Sequence, residues 1–564
     1  MTTTFVTCFV NIERDAAMQT MRFAHFVEIA KTGINICIYV DAHDSMVADV
    51  LSKYTNVKLM RLIRLQDSLA YRTIASSRTP IRFPDTDNEK KDTRDFLILM
   101  NCKIELINDA IDQNPFASSC FAWIDFSIAK IFQSSQYADL LRDMGTNVPD
   151  HPFLAIPGCW SKEACSESSI AQSVCWRYCG GFFWGDKASL THFYDLYCRY
   201  FPVFIAKYHT LLWEVNFWCW LEMNNLWSPQ WYLANHDDSI LRVPGHITAT
   251  SIFKRSVVHD PYDYPTISES IEPGCEVGLF VPSSASYIRY DGKHILNTRF
   301  VNYTITDEHF CFHHENRVLV TKNIMSTLDE NLRPLNYAIV DDPPKPNMEN
   351  KNTLCVFNGL EDIRLYEKEK KLHYISTSMS HCDSEHKNKN WIVSGEYNHV
   401  EKKMETCRTL ASPTGHWCEK NWTPVIVDNE EFFIYQWAPM HIYNAALQHV
   451  QTHRIENPIF AKFRGSTVFT RLGNNLLGLV HFSDGEGIQR HYFHVLVLMD
   501  GKTLQPLQYS KPFYFCEKPG VEFCTGFAII DMKYQFWISV RDGSPKHISV
   551  AIDSIPLCNR VSVL

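Results

Sequence analysis

The residues whose type and placement could do chemistry begin with Asp125. It closes the run Phe121-Ala122-Trp123-Ile124-Asp125-Phe126-Ser127. An apolar run of this kind buries itself in a sheet, and its carboxylate emerges where strand gives way to loop. In open α/β sheets, ligands bind outside the carboxyl ends of the strands. A carboxylate there can hold a divalent cation against a diphosphate. The plainer reading is an acid that caps the next turn. Asp41 ends the run Ile34–Val40 in the same way, and contact with a ribose or base competes with a turn role. Lys103 precedes the Asp125 strand on a helical segment, as a nucleotide or pyrophosphate contact or as a solvated helix residue. Cys159, Cys165, Cys175 and Cys179 lie near one another but form no C-x-x-C. Small buried hydrophobes are therefore a simpler reading of them than a zinc site.

These residues need a scaffold, and the first half supplies an alternating one. Strand-like runs at Thr4–Val10, Ile34–Val40 and Phe121–Ile124 alternate with helical spacing over Asp15–Thr32 and Phe96–Ile111. That rhythm predicts a doubly wound α/β domain over residues 1–245. The polar stretch Arg78–Arg94 reads as a loop near the site. A chain of 564 residues exceeds one core. Its net charge of −9, without a dense Lys/Arg run, argues against a nucleic-acid partner. The 19 cysteines are scattered, and the first residues show no charged, apolar leader. Reduced thiols and a cytoplasmic location are the expectation. Phe201–Trp220, the greasiest segment, is broken by Lys207, His209, Glu214 and Asn216. It reads as a buried amphipathic helix and not a membrane span.

The first half resembles the HtrL/YibB family of the GT-A glycosyltransferase-like superfamily. The matching stretches are Ile38-Tyr39-Val40-Asp41, Phe96 to Lys103, Asn114-Pro115-Phe116, Phe121 to Phe126 and Gly180-Gly181-Phe182-Phe183-Trp184-Gly185. The resemblance implies transfer of a sugar from a nucleotide-sugar donor to a glycan acceptor. It implies that Asp125 contacts the donor diphosphate or a metal, with Mn2+ or Mg2+ as cofactor. GT-A enzymes commonly carry Asp-x-Asp here, whereas this chain has Asp125-Phe126-Ser127. Ser127 is at most a weak oxygen ligand, and His236 is a candidate to complete the shell. Gly180 and Gly181 match the Gly-Gly-Phe segment that borders donor and acceptor, where a missing Cβ allows close approach. Glu214 falls where related enzymes place an acid, and is the candidate base for the acceptor hydroxyl.

Residues 246–275 mix Pro, Ser, Asp and Tyr without periodicity and read as a linker. Beyond them the pattern is all-β over 276–564. A strand, an acidic or Gly/Asn turn and a second strand recur at Ser286–Val301, Ile363–Ser376, Thr423–Trp437, Thr467–His481 and Phe527–Val540. Blades with inserted loops would give this spacing. This half resembles the five-bladed β-propeller of the GH130 family and the related β-1,2-mannosyltransferase-type GT108 group. The carriers are Asn358-Gly359-Leu360-Glu361-Asp362-Ile363-Arg364, Glu419 to Pro424, Phe463 to Ser466, Arg490 to His494 and Val521 to Gly526.

In those families the Asp at the position of Asp362 protonates the glycosidic oxygen, directly or through a sugar hydroxyl. Ile363 stands where they carry Pro. Phosphorolysis would then need cations to hold phosphate, and Arg299, Arg364, Lys420, Arg464, His481 and His494 could ring the channel with Asn421 and Tyr492 beside them. Alternatively, Arg364 and Asp362 pair and staple blades together. Three alternatives stay open: a glycosyltransferase with an acceptor-binding or second active propeller, a β-mannoside phosphorylase or mannosyltransferase active in the propeller, and a non-catalytic glycan-binding protein.

Overall fold

In a computed structural model the described residues are 2–42, 45–84, 88, 90–270, 277–306, 309–313, 319–344, 357–381, 389–485 and 490–563. The chain forms two compact units, Met1–Thr248 and Ala249–Leu564.

The first unit is built on a seven-stranded sheet of β1 (Thr3–Phe9), β2 (Asn35–Val40), β3 (Val57–Leu62), β4 (Cys120–Ile124), β5 (Leu154–Gly158), β6 (Phe182–Asp186) and β7 (Gln230–Leu233). Their order is β3-β2-β1-β4-β6-β5-β7. β1 runs parallel to both β2 and β4, whereas β6 is antiparallel to β4 and β5. The strand order therefore reverses between β1 and β4, and a crevice opens outside their carboxyl ends. β1 and β4 are buried throughout, as strands covered on both faces must be.

The turn that carries Asp125 is held by aromatic packing. Phe126 stacks on Phe26 at 4.6 Å and meets Phe9 and Phe23 at 4.8 and 5.1 Å. Phe23 and Phe26 come from the helix Ala16–Ala30, whose N-cap Asp15 accepts from the Ala17 and Met18 amides. Burying one such aromatic contributes about 2–3 kcal/mol.

Two helical expectations change. Phe96–Ile111 is not one helix but two, Arg94–Asn101 and Lys103–Gln113. Asn101 turns its side-chain amide onto the Leu97 carbonyl, the Cys102 thiol takes the Ile98 carbonyl, and the Cys102 amide bonds Leu99. Such back-bonding competes with the regular ladder and breaks it. Phe201–Trp220 also divides, between Lys187–Tyr208 and Glu214–Met223, because His209 adopts a left-handed φ of +50°. Among the described residues no helix is long and apolar enough to cross a membrane. The Arg78–Arg94 loop lies partly outside the described residues. Its Arg82 is tied to the chain at His209 and Leu211 by backbone bonds.

The second unit is a β-propeller of antiparallel sheets that follow one another along the chain. The first sheet is centred on Val277–Tyr290, Lys293–Val301 and Leu319–Leu328. The next two start at Glu361–Lys368 and Thr423–Val427. Another is built on Asn475–Asp484 and His491–Asp500. The last joins Glu522–Ile530, Lys533–Val540 and Gly543–Ala551 to Ser256–Val258. The start of the unit thus closes its final sheet, which removes an open edge. Residues 246–275 are therefore not a free linker: Thr250–Ser251, Ser256–Val258 and Ile267–Ser270 are strands, and 271–275 lie outside the described residues.

Four of the five expected hairpins have two-residue loops with both φ positive, at Asp291-Gly292, Glu369-Lys370, Asp428-Asn429 and Asp531-Met532. Such turns match the twist of the strands that they join. Thr467–His481 departs from the repeat. Only Gly473 turns positive there, and the short strand Thr470–Leu472 lies off the main ladder of its sheet.

The sheets meet closely at Gly465, where an added Cβ would lie 2.0 Å from Thr423 Oγ1 and 2.4 Å from the Asn421 carbonyl. Gly465→Ala is expected to cost about 1–3 kcal/mol of stability. Denaturant unfolding followed by a signal from the second unit tests this, and an unchanged midpoint refutes the close approach.

Candidate functional site

A cavity of about 540 Å³ lies in the first unit and is bordered by Cys8 and Val10 around the end of β1 and by Asp125 after β4. Trp123, Lys103, Glu214, Gly180 and Gly181 complete that side. This is the strand-order reversal where α/β sheets bind ligands. Gly181 carries the Asp125 amide on its carbonyl at 2.9 Å. Gly180 is forced by close approach, because a Cβ there would lie 2.0 Å from Glu214 Oε1.

Lys103 organises the acids. It is 1% exposed, not a solvated helix residue. Its Nζ donates to Asp125 at 2.9 Å, to Glu214 at 2.7 Å and to the Gly180 carbonyl at 2.8 Å. An ammonium has three hydrogens, and all three are engaged. Lys103 therefore positions Asp125 and Glu214, in place of the expected ligand contact. Burial opposes its charge, but Asp125 and Glu214 outweigh that and hold its pKa up. One cation cannot neutralise two carboxylates. Burial, aided by the Asp125 charge, raises Glu214 above the usual carboxylate range despite Lys103. A half-basic carboxyl of this kind suits proton transfer. Glu214 is itself 4% exposed, at the first turn of Glu214–Met223, and not on an open helix face.

The expected metal set is a poor fit. Asp125, Ser127 and His236 all border the cavity. Asp125 Oδ1 already accepts from Lys103 and from Trp123 Nε1 at 2.7 Å. The His236 imidazole faces the Cys159 thiol at 3.8 Å. Mg2+ and Mn2+ want several oxygens in a fixed shell, which this donor set does not offer. Asp41 is not part of the cavity wall and accepts from the Asn11 amide at 3.3 Å. Sequence reasoning missed Lys91 and Lys130 on the wall. Burial and then Lys91 lower the Lys130 pKa, as two ammonium groups facing one space would.

The second unit gathers its own acids. Asp362 has φ +53° and sits where the ladder between Glu361–Lys368 and Lys371–Ser378 slips by a residue. A bulge of this kind re-aims a side chain out of the sheet. Asp362 meets Arg299 Nη1 at 3.0 Å and Ser284 Oγ at 3.2 Å. Arg299 also reaches Glu361 at 3.5 Å and Tyr303 at 3.3 Å, and Lys420 reaches Glu361 at 3.3 Å. Tyr303 donates to Asp542 at 2.9 Å. Burial alone would raise Asp362, but Arg299, Arg364 and Lys420 hold it below the usual range. Asp542 is raised, because its burial outweighs Arg299. Glu361, Tyr303 and Asp542 were missed; Asp542 hides in an ordinary Asp-Gly turn, whose long-range partners no local pattern reveals.

The expected basic ring does not form as a unit. Arg364 is 1% exposed and donates to the Ser466 and Gly465 carbonyls and to Asn421 Oδ1, so it staples sheets together. Burial lowers its pKa to about 10. His481 is buried against Ser466 and Tyr492 and is held neutral by burial. His494 is fully buried beside Phe513 and Phe515, 3.6 Å from Glu522, with its pKa lowered to about 3 by burial. Neither histidine can offer charge to phosphate. Arg464 remains exposed. A cavity of about 470 Å³ between the inner strands is bordered by Leu365, Ile426, Phe469 and Phe527 and by none of these residues.

No family model matches the chain. No curated protein matches it either. Solved structures resemble part of it. A β-1,2-mannobiose phosphorylase from Listeria innocua is 11% identical, with 50% of this chain and 93% of that chain covered and a TM-score of 0.33. A structure from work on the GH130 family of mannoside phosphorylases is 10% identical, covering 53% and 94%, with a TM-score of 0.36. An α-L-arabinanase from Cellvibrio cellulosa is 10% identical, covering 50% and 92%, with a TM-score of 0.27. At this distance the likenesses carry no argument about function.

The buried triad has a measurable signature. Lys103→Met strands two carboxylates and is expected to cost about 3–5 kcal/mol in chemical denaturation. Adding Glu214→Leu should recover part of that loss. A cost within experimental error for Lys103→Met would mean that the ammonium does not hold both acids.

Proposed function

We propose that this protein is a glycan-active enzyme with its reacting carboxyls, Asp362 and Asp542, in the propeller unit. The observation that carries the reading is the bulge at Asp362, which turns an acid out of the ladder into a cluster of buried charges. Arg299 and Lys420 balance Glu361 and Asp362, so the cluster is close to neutral and suits an uncharged sugar more than a free phosphate. Asp362 is held ionised and can accept a hydroxyl proton. Asp542 keeps its proton to higher pH and can give one. Carboxyls pushed apart in this way are the mark of an acid–base pair. The resemblance of Gly359 to Arg364 points to β-mannosides, and the near-neutral cluster favours passing the mannosyl group to another hydroxyl over phosphorolysis.

The second reading places a glycosyl transfer in the first unit. Its support is the cavity at the strand-order reversal, whose wall holds Lys91 and Lys130 together with Asp125 and Glu214. The two lysines would meet the diphosphate of a nucleotide sugar, and Glu214 would take the acceptor proton.

Incubation with β-mannosides, with and without inorganic phosphate, tests the first reading. Asp362→Asn and Asp542→Asn are each expected to lower kcat by about 10²–10⁴-fold. Activity needs Asp362 ionised and Asp542 protonated. It should therefore fall as pH drops through the depressed value of Asp362 and as it rises through the raised value of Asp542. Asp542→Asn should abolish the alkaline limb. Full activity in Asp362→Asn would sink the reading. Nucleotide release from UDP-, GDP- or dTDP-sugars, lost in Asp125→Ala, would instead support the second.

A further inference from the structure

The four cysteines grouped by sequence part company in the fold. Cys165 and Cys175 join Cys219, whereas Cys159 and Cys179 join His236. The second trio is set by the sheet. In the order β6-β5-β7, β5 and β7 are parallel and β6 is antiparallel to β5. Cys159 follows the end of β5, His236 follows the end of β7 and Cys179 precedes β6, so all three fall at one edge. Backbone bonds fix that edge: Cys179 donates to the Pro157 carbonyl at 2.7 Å, Cys159 to Trp176 at 2.9 Å and Ala234 to Gly158 at 2.9 Å.

We propose that Cys159, Cys179 and His236 form a site for a soft divalent cation such as Zn2+, beside the first unit's cavity, which His236 lines. The two sulfurs lie 3.5 Å apart, and Cys159 Sγ lies 3.8 Å from His236 Nδ1. Tetrahedral zinc, with its usual bond lengths, holds such donor atoms about 3.6–3.8 Å apart. Cys159 is near that spacing from both partners before any metal binds, and all three donor atoms lie within 4.8 Å of one another. The two cysteines are free thiols in contact and not bonded to each other. Two thiolates and an imidazole favour zinc over the hard cations expected at Asp125. Two buried apolar thiols would explain Cys159 and Cys179 as packing, but not an imidazole turned onto one of them. His236 is held edge-on to Trp176, with ring centres 4.5 Å apart, and both side chains border the cavity.

Binding releases the two thiol protons and leaves the imidazole neutral. Three protein ligands leave the fourth tetrahedral position for water or a ligand atom, the count found in zinc sites that react and not in closed structural ones. The metal would also tie together the ends of β5 and β7 and the approach to β6.

Titration of the reduced, metal-free full chain with Co2+ tests the site. One equivalent should bind with thiolate-to-cobalt charge transfer and the d–d bands of tetrahedral cobalt, and Zn2+ should displace it. Cys159→Ser and His236→Ala should each weaken binding by about 10–100-fold or more, since even outer-shell changes cost that much. His236 is exposed, so its variant should fold normally, as circular dichroism would confirm. Cys219→Ser should leave the signal unchanged. Absence of Co2+ binding, loss of the signal in Cys219→Ser alone, or a Cys159–Cys179 disulfide by mass would each overturn the proposal.

Discussion

A buried cation is costly unless acceptors meet its hydrogens, and each unit of this chain holds one tied to three acceptors. Lys103 places its three hydrogens on Asp125, Glu214 and the Gly180 carbonyl. That joins the end of β4, the turn before β6 and the start of a helix. Arg364 does the same work in the propeller, on Ser466, Gly465 and Asn421. Taking such charges out of water is expensive, and mutual attraction offsets the cost only when the geometry is complete. The neighbouring backbone is therefore constrained as strongly as the side chains, which is why Gly180 and Gly465 tolerate no Cβ.

The two sites use this constraint in opposite ways. In the first unit one cation faces two carboxylates, and burial, aided by the Asp125 charge, raises Glu214 despite it. Around Asp362, three cations outweigh burial and keep the carboxyl ionised, while Asp542, reached through Arg299 and Tyr303, is raised by its burial. Charge count, more than the identity of the acids, decides which carboxyl keeps a proton.

Much of this was legible where the pattern is local. Buried strands show as apolar runs, so β1, β2 and β4 and the position of Asp125 follow from composition and spacing. Three propeller hairpins carry Asp, Asn or Gly in their two-residue turns, as positive φ favours, whereas Glu369-Lys370 takes the same conformation with none of them. What escaped depends on partners far away in sequence. The break at Cys102 arises from side chains competing for carbonyls inside an apparently regular helix. Arg364, His481 and His494 looked like one basic ring because each is basic and lies near a motif. Burial neutralises the histidines, and the arginine places three of its hydrogens on acceptors in neighbouring sheets. Ser256–Val258 read as linker because nothing local marks a strand whose partner, Gly543–Ala551, lies nearly the whole unit away.

The cysteines carry the same lesson to its limit. Spacing along the chain groups Cys159 with Cys165, only six positions on, and the fold separates them. The order β6-β5-β7 instead brings Cys159 to Cys179 and to His236, 77 positions away from it. One antiparallel strand between parallel neighbours reverses which end of β6 meets the carboxyl ends of β5 and β7. Were β6 parallel, Cys179 would lie at the opposite edge of the sheet and the trio could not form. The same reversal sets Gly180 and Gly181 beside Asp125, so the strand that completes the cavity wall also brings Cys179 to Cys159 and His236.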